Sequence, residues 1–180
     1  MTELDSFSEE LLEQAKRFLE KSKDTKDEKA INAYLNASLL IAVSSLEAFI
    51  YGIADDFSSS ENFSLLEKAL LTEKEIELKN GEFKLTKKLK MSRLTERIEL
   101  LSIKFNSKNN IKSEKWWDGL LEGIGIRNDI VHPKSDTCIK IEQVERSISS
   151  IIECVNYLFL SVYRKGLPIY GLGLQSKYDY

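Results

Sequence analysis

The stretch from residue 37 to residue 54 constrains this chain most, because its only charged residue is Glu47. It lies inside a helical run over residues 30–57, the most apolar helix the sequence contains. Length alone would suit a membrane span. However, Ser38, Ser44, Ser45, Glu47 and Gly52 interrupt it, and a span needs roughly 20 predominantly apolar residues. The run is therefore expected as a central helix covered on several sides by the rest of the chain.

The covering elements can be read from their periodicity. Residues 6–22 place Phe7, Leu11, Leu12, Ala15, Phe18 and Leu19 near one helical face, with Ser8-Glu9-Glu10 as an acidic first turn. After Ser58-Ser59-Ser60, a short helix is expected over residues 62–71. Ser92 reads as the N-cap of a helix carrying Leu94, Ile98, Leu101 and Phe105 on one face. Ser113 reads as the cap of another, running through Trp116, Trp117, Leu120, Leu121 and Ile124 until Pro133 stops it. Residues 140–165 form a last long helix, with Ile141, Val144, Ile148, Ile151, Ile152, Val155, Leu158, Phe159 and Val162 spaced for burial.

One segment breaks the helical pattern. Residues 76–85 alternate around Asn80-Gly81, the strongest short-range hairpin signal, so a small two-stranded ribbon is expected over about residues 75–86. An isolated ribbon is marginal in water, so it should lean on the helices or on a partner. The fold expected is all-α: one helical bundle over residues 1–165 with a β-hairpin insertion. An irregular tail follows over residues 166–180, where Gly166, Pro168, Gly171 and Gly173 prevent further helix.

At 180 residues the chain can bury a core without disulfides or metal. Cys138 and Cys154 lack CxxC spacing and are expected as two buried thiols. The net charge of -3 excludes a global basic field, so any nucleic-acid contact must be local. Residues 1–5 carry no secretory pattern, and the expected address is the cytoplasm. No glycine-rich phosphate loop, serine elbow or metal-ligand cluster points to another enzyme class, and no cofactor is expected.

Chemistry concentrates in Arg127-Asn128-Asp129-Ile130-Val131-His132. His132 is the only histidine, and its type gains and loses a proton near neutral pH. Arg127 offers a planar, permanently charged fork for phosphate oxygens. Such a pair suits RNA cleavage, in which a ribose 2′-hydroxyl attacks the adjacent phosphorus without need of a metal. Positions five apart on a helix point about 140° away from each other, so the two converge only if the helix ends between them or if two copies face each other. Asn128, four residues before His132, shares its face and can orient the site.

Glu47 leaves two readings open: an ion pair that holds Arg127 for phosphate, or a carboxylate facing solvent. The basic run Lys84, Lys87, Lys88, Lys90, Arg93, Arg97 is either an RNA track or a solvated face. Of Trp116 and Trp117, at least one is expected in the core rather than stacked on a base.

The Arg127 to His132 segment resembles the arginine, polar residue, histidine motif of HEPN ribonucleases. The resemblance covers most of the chain: the apolar helix with Val43-Ser44-Ser45-Leu46-Glu47-Ala48-Phe49-Ile50, the hairpin insertion, and the motif before a closing helix. It implies a metal-independent endonuclease acting as a homodimer in phage defence or as a toxin, with an antitoxin or companion defence protein as a possible partner. Arg127 and His132 would be catalytic, Asn128 and Glu47 supporting, and Lys88, Lys90, Arg93 and Lys134 in contact with RNA. The alternative is a non-catalytic HEPN-like module binding RNA, a nucleotide or a protein. Lys134 stands where members silenced by a partner nucleotidyltransferase carry a tyrosine, so the resemblance does not extend to that form of control.

Overall fold

The computed structural model describes residues 3–106, 110–133 and 138–179, with side chains from residue 6 onward. Among them are six α-helices and one two-stranded sheet, so the protein is all-α with a hairpin. In chain order these are α1 (Glu3–Asp24), α2 (Glu28–Asp56), α3 (Leu65–Thr72), β1 (Lys74–Lys79), β2 (Glu82–Leu89), α4 (Leu94–Phe105), α5 (Trp117–Val131) and α6 (Ile141–Tyr163).

As expected, α2 is central: it packs against every other helix. It is long and apolar enough to span a membrane, yet 61% of its most apolar window is buried inside this fold. The serines that interrupt its apolar pattern explain its tight seam with α1. Ser38 Oγ donates to Ala15 O (2.7 Å) and Ser45 Oγ to Ser8 O (2.7 Å), both buried. As the α2 position rises by seven the α1 position falls by seven, so the helices run antiparallel. Small hydroxyl side chains let the two backbones approach closely while satisfying their own polar groups. Leu12, Ala15 and Leu19 bury α1's apolar face against this seam, whereas Phe7, expected on that face, is exposed.

Helix α5 is held against α6 by an absence of side chains. A Cβ built on Gly123 would lie 2.8 Å from Ser147 Cβ, and one on Gly119 would collide with Ser150 Oγ. Glu122 then joins the two helices by accepting from Gln143 Nε2 (3.2 Å) and pairing with Arg146. This contact fixes where the C-terminal end of α5 points.

The hairpin follows its sequence signal. Asn80 (φ 55°) and Gly81 (φ 82°) form the two-residue turn between Lys79 and Glu82, both in the positive-φ region that a type I′ turn requires. It rests on α3, which is fixed by a reciprocal cap between Ser64 and Glu67, but leaves Leu78, Phe83 and Leu89 exposed.

Several local expectations are corrected. Ser92 does not cap α4: its N–H donates to Glu73 Oε1 and its hydroxyl to Leu70 O, tying the hairpin's exit to α3, while Arg93 occupies the N-cap without a capping side chain. Ser113 does not cap α5 but lies in a 3-10 turn, donating to Asn110 O, and α5 begins four residues later. Of the two cysteines only Cys154 is buried, and burial pushes its thiol well above the ordinary range; Cys138 is exposed. Trp117 is the core tryptophan, with Trp116 packed at its edge beside Tyr157.

The tail, though irregular, is packed. Leu167 and Ile169 are buried. Beyond them Lys177 N donates to Glu13 Oε2 (2.6 Å) and Lys16 Nζ to Gln175 O (3.3 Å), around a Glu13–Lys16 ion pair (2.6 Å) with no exposed surface. A buried pair is tolerated when further hydrogen bonds satisfy both charges, and the tail backbone supplies them.

Two outcomes check this arrangement. Ellman's reagent should titrate Cys138 alone in the folded protein and both thiols after denaturation. Gly123→Val should destabilise the fold by about 1–3 kcal/mol in urea unfolding, since the backbone of α5 would have to move off Ser147.

Candidate functional site

The face of α2 left uncovered by other helices carries Ser44, Glu47, Ala48 and Tyr51. A cleft of about 640 Å³ opens over this strip, walled by α2, the start of α4 and the last turns of α5. Glu47 and Tyr51 enter it from α2, Arg93 and Arg97 from α4, and Arg127 and Asn128 from α5. Its remaining corner is Glu73, the left-handed C-cap of α3 (φ 51°), where the chain turns into β1.

Arg127 Nη2 donates to Glu47 Oε1, so the ion pair is formed; yet the Glu47 side chain stays 43% exposed and that of Arg127 24% exposed. Both readings of Glu47 therefore hold in part, since it grips Arg127 while facing the open cleft. A carboxylate in this position restricts the arginine's rotamers and leaves part of its fork directed elsewhere.

Arg97 is the cleft residue that the sequence reading placed only in a basic run. Its side chain is 4% exposed and its Nη1 lies 3.3 Å from Glu73 Oε2. Its Nε and Nη2 are buried with no hydrogen-bond partner among the described residues. Burial lowers its pKa below the ordinary arginine value, opposed by the carboxylates of Glu73 and Glu47 and by Tyr51. Arginine keeps its proton even so, which puts a fixed positive charge in the wall of the cleft. A signal was present: Arg97 stands inside the apolar stripe of α4, three residues after Leu94 and four before Leu101. Glu73, a charged residue in a turn, offered none.

Helix α5 ends at Val131, and His132 is its C-cap (φ -125°, ψ 64°), its N–H donating to Asn128 O at 2.9 Å. The helix thus terminates between Arg127 and His132, as Pro133 suggested. The imidazole is exposed and does not line the cleft that holds Arg127 and Asn128.

The expected RNA-contact residues separate. Arg93 stands at the cleft with its side chain 84% exposed. Lys88 projects from β2, 3.9 Å from Glu75. Lys90 lines a different, mainly apolar groove of about 830 Å³ between α3 and the hairpin, with Leu66, Phe83 and Met91. Lys134 lies outside the described residues. The basic run is thus not one surface: pleating, the bend into α4 and the burial of Arg97 divide it. Among the described residues no group of three or more His, Cys, Asp or Glu is placed to hold a metal ion.

A helical bundle with a hairpin, an arginine gripped from the central helix and a histidine at the end of the same helix as that arginine define a HEPN-type domain. The comparison with protein families agrees: the RiboL-PSP-HEPN model matches residues 6–163, and the chain belongs to that family. Membership marks it as a HEPN-type, nuclease- or RNA-related module. Among curated proteins and among solved structures, none matches significantly.

The exposure of the Glu47–Arg127 pair sets its energetic weight. A double-mutant cycle with Glu47→Gln and Arg127→Met should give a coupling of about 0.2–1 kcal/mol in thermal unfolding, shrinking as salt is raised.

Proposed function

We propose that the protein is a metal-independent RNA endonuclease whose site is completed by two copies of the chain. The observation that carries this reading is the division of the motif in one copy: Arg127 is held by Glu47 inside the cleft, while His132 stands exposed beyond the end of α5. A cleavage site needs the phosphate donor and the proton-transfer group around one phosphorus. Two copies related by a two-fold axis bring the arginine of each towards the histidine of the other, because such an interface repeats each patch.

The surface of α5 supports the pairing. Leu121, Gly125, Asn128 and His132 recur at helical spacing along one side of α5, and all four are exposed. Nothing lies within 4 Å of a Cβ built on Gly125, so a second helix has room to approach there.

In the proposed reaction His132 takes the 2′-hydroxyl proton, or returns a proton to the departing 5′ oxygen. Arg127 stabilises the negative charge that builds on the phosphoryl oxygens, and Asn128 orients the group between them. The 2′ oxygen bonds to phosphorus as the P–O5′ bond breaks. The products are 2′,3′-cyclic phosphate and 5′-hydroxyl ends. We assign this activity to a toxin or phage-defence role in which a companion protein keeps the enzyme silent.

Cleavage of a labelled RNA, with end analysis, tests the proposal. His132→Ala and Arg127→Ala should each abolish cutting while sedimentation still reports a dimer, and EDTA should have no effect. Gly125→Arg should give a monomer that does not cut although both chemical groups remain. Persistent cutting by the two motif variants, or full activity of a monomer, sinks the reading.

A further inference from the structure

The cleft carries more positive charge than cleavage by Arg127 and His132 calls for. Among its lining residues Arg93, Arg97 and Arg127 stand against Glu47 and Glu73, an excess of one positive charge in a chain whose formal net charge is -3; Glu96, outside the lining, meets the exposed Arg93 at 4.0 Å. Three features of that excess point to an anionic ligand of defined shape. The 12-residue helix α4 opens into the cleft with no side chain capping its first turn, so its free N–H groups and the positive end of its dipole face the same space. Arg97, one turn further along, is almost wholly buried, and two of its three nitrogens lack a hydrogen-bond partner among the described residues. Leaving such donors unsatisfied is costly, and a charge in a low-dielectric wall acts over a longer range than one in water. Finally, Glu73, the carboxylate that Arg97 meets among the described residues, is in loose contact at 3.3 Å and is partly exposed, so it can be exchanged for another acceptor.

We propose that this cleft is a phosphoryl-binding subsite present in each protomer. One phosphoryl group sits at the N-terminus of α4, between the exposed fork of Arg93 and the held fork of Arg127. There it draws the guanidinium of Arg97 away from Glu73 and supplies the acceptors that Arg97 lacks. Helix N-termini backed by arginine suit tetrahedral oxyanions, because several donors converge on oxygens of one centre. Tyr51 and Met91, both exposed at the same cleft, form flanking surface for whatever the phosphoryl group is attached to. The subsite stands on this geometry alone; only its assignment to RNA rests on the nuclease reading, in which it would hold a backbone phosphate next to the scissile one.

The test uses the full chain carrying His132→Ala, so that no substrate is consumed. Inorganic phosphate is titrated in while the arginine Nε–H resonances are followed by NMR, with the Arg97 signal identified by its loss in Arg97→Lys. The Arg97 resonance should shift to saturation. Glu73→Gln keeps the acceptor for Ser92 N–H but removes the competing charge, and should tighten phosphate several-fold. Arg97→Lys should weaken it about tenfold or more, the loss expected when charged hydrogen bonds are removed. The source of the phosphoryl group is read by repeating the Arg97→Lys comparison with a fluorescent RNA dodecamer and with adenosine monophosphate. A tenfold loss for RNA assigns the subsite to the substrate backbone, and a loss confined to the mononucleotide assigns it to a free nucleotide. An Arg97 resonance that does not move with phosphate, together with binding that Glu73→Gln does not tighten and Arg97→Lys does not weaken, overturns the subsite. If the wild type fails to cut RNA while Arg97 still responds to phosphate, the nuclease reading falls and this one stands.

Discussion

The burial of α2 is the constraint from which the rest of the structure follows. A helix with a single charged residue in eighteen must be covered almost all round, and the chain does this with α1, α3, α4, α5 and α6. Coverage is incomplete along one strip, and that strip carries Glu47. The fold thus leaves the one charge of this stretch on the side where water and Arg127 reach it. Arg127 arrives there because Gly119 and Gly123 let α5 settle on α6 without side chains between them. The site is in this sense a by-product of packing: moving α5 outward by the width of a methyl group would take the guanidinium away from its carboxylate.

Electrostatics in the cleft depends on unequal burial more than on the number of charges. Arg93 is solvated, Arg127 is half-gripped and Arg97 is enclosed, so three identical groups have three different reaches. Water screens the first heavily, whereas the last acts through protein. Glu47 and Glu73 each neutralise part of one neighbour. They set the orientation of the arginines without cancelling the field that an incoming phosphate would meet.

Much of the architecture was legible because it rests on local rules. Asn80-Gly81 specified its turn through backbone sterics, and Pro133 marked the end of α5 at His132. Periodicity placed the long helices within a few residues of their bounds. Ser92 and Ser113 have the chemistry of caps, but Ser92 was recruited by the distant Glu73 and Leu70, and Ser113 by Asn110, three residues before it in a competing 3-10 turn. Cys138 was expected inside by residue type but is exposed, while its neighbour Ile139 is buried. Glu13 and Lys16 stand at a spacing that pairs charges on a helix surface, yet the tail covers both.

The sequence by itself determined that this chain forms a helical bundle around one apolar helix, with a hairpin insertion, and that Arg127 and His132 flank a helix end. Those properties depend on patterns within a few turns, where spacing and sterics suffice. Only the tertiary structure decided that Arg127 meets Glu47, that Arg97 is buried beside them, and that His132 stands apart from their cleft. Each of those facts depends on how far α4 and α5 approach α2. That approach is set by the combined volume and hydrogen bonding of residues distant in the chain, which no local pattern encodes.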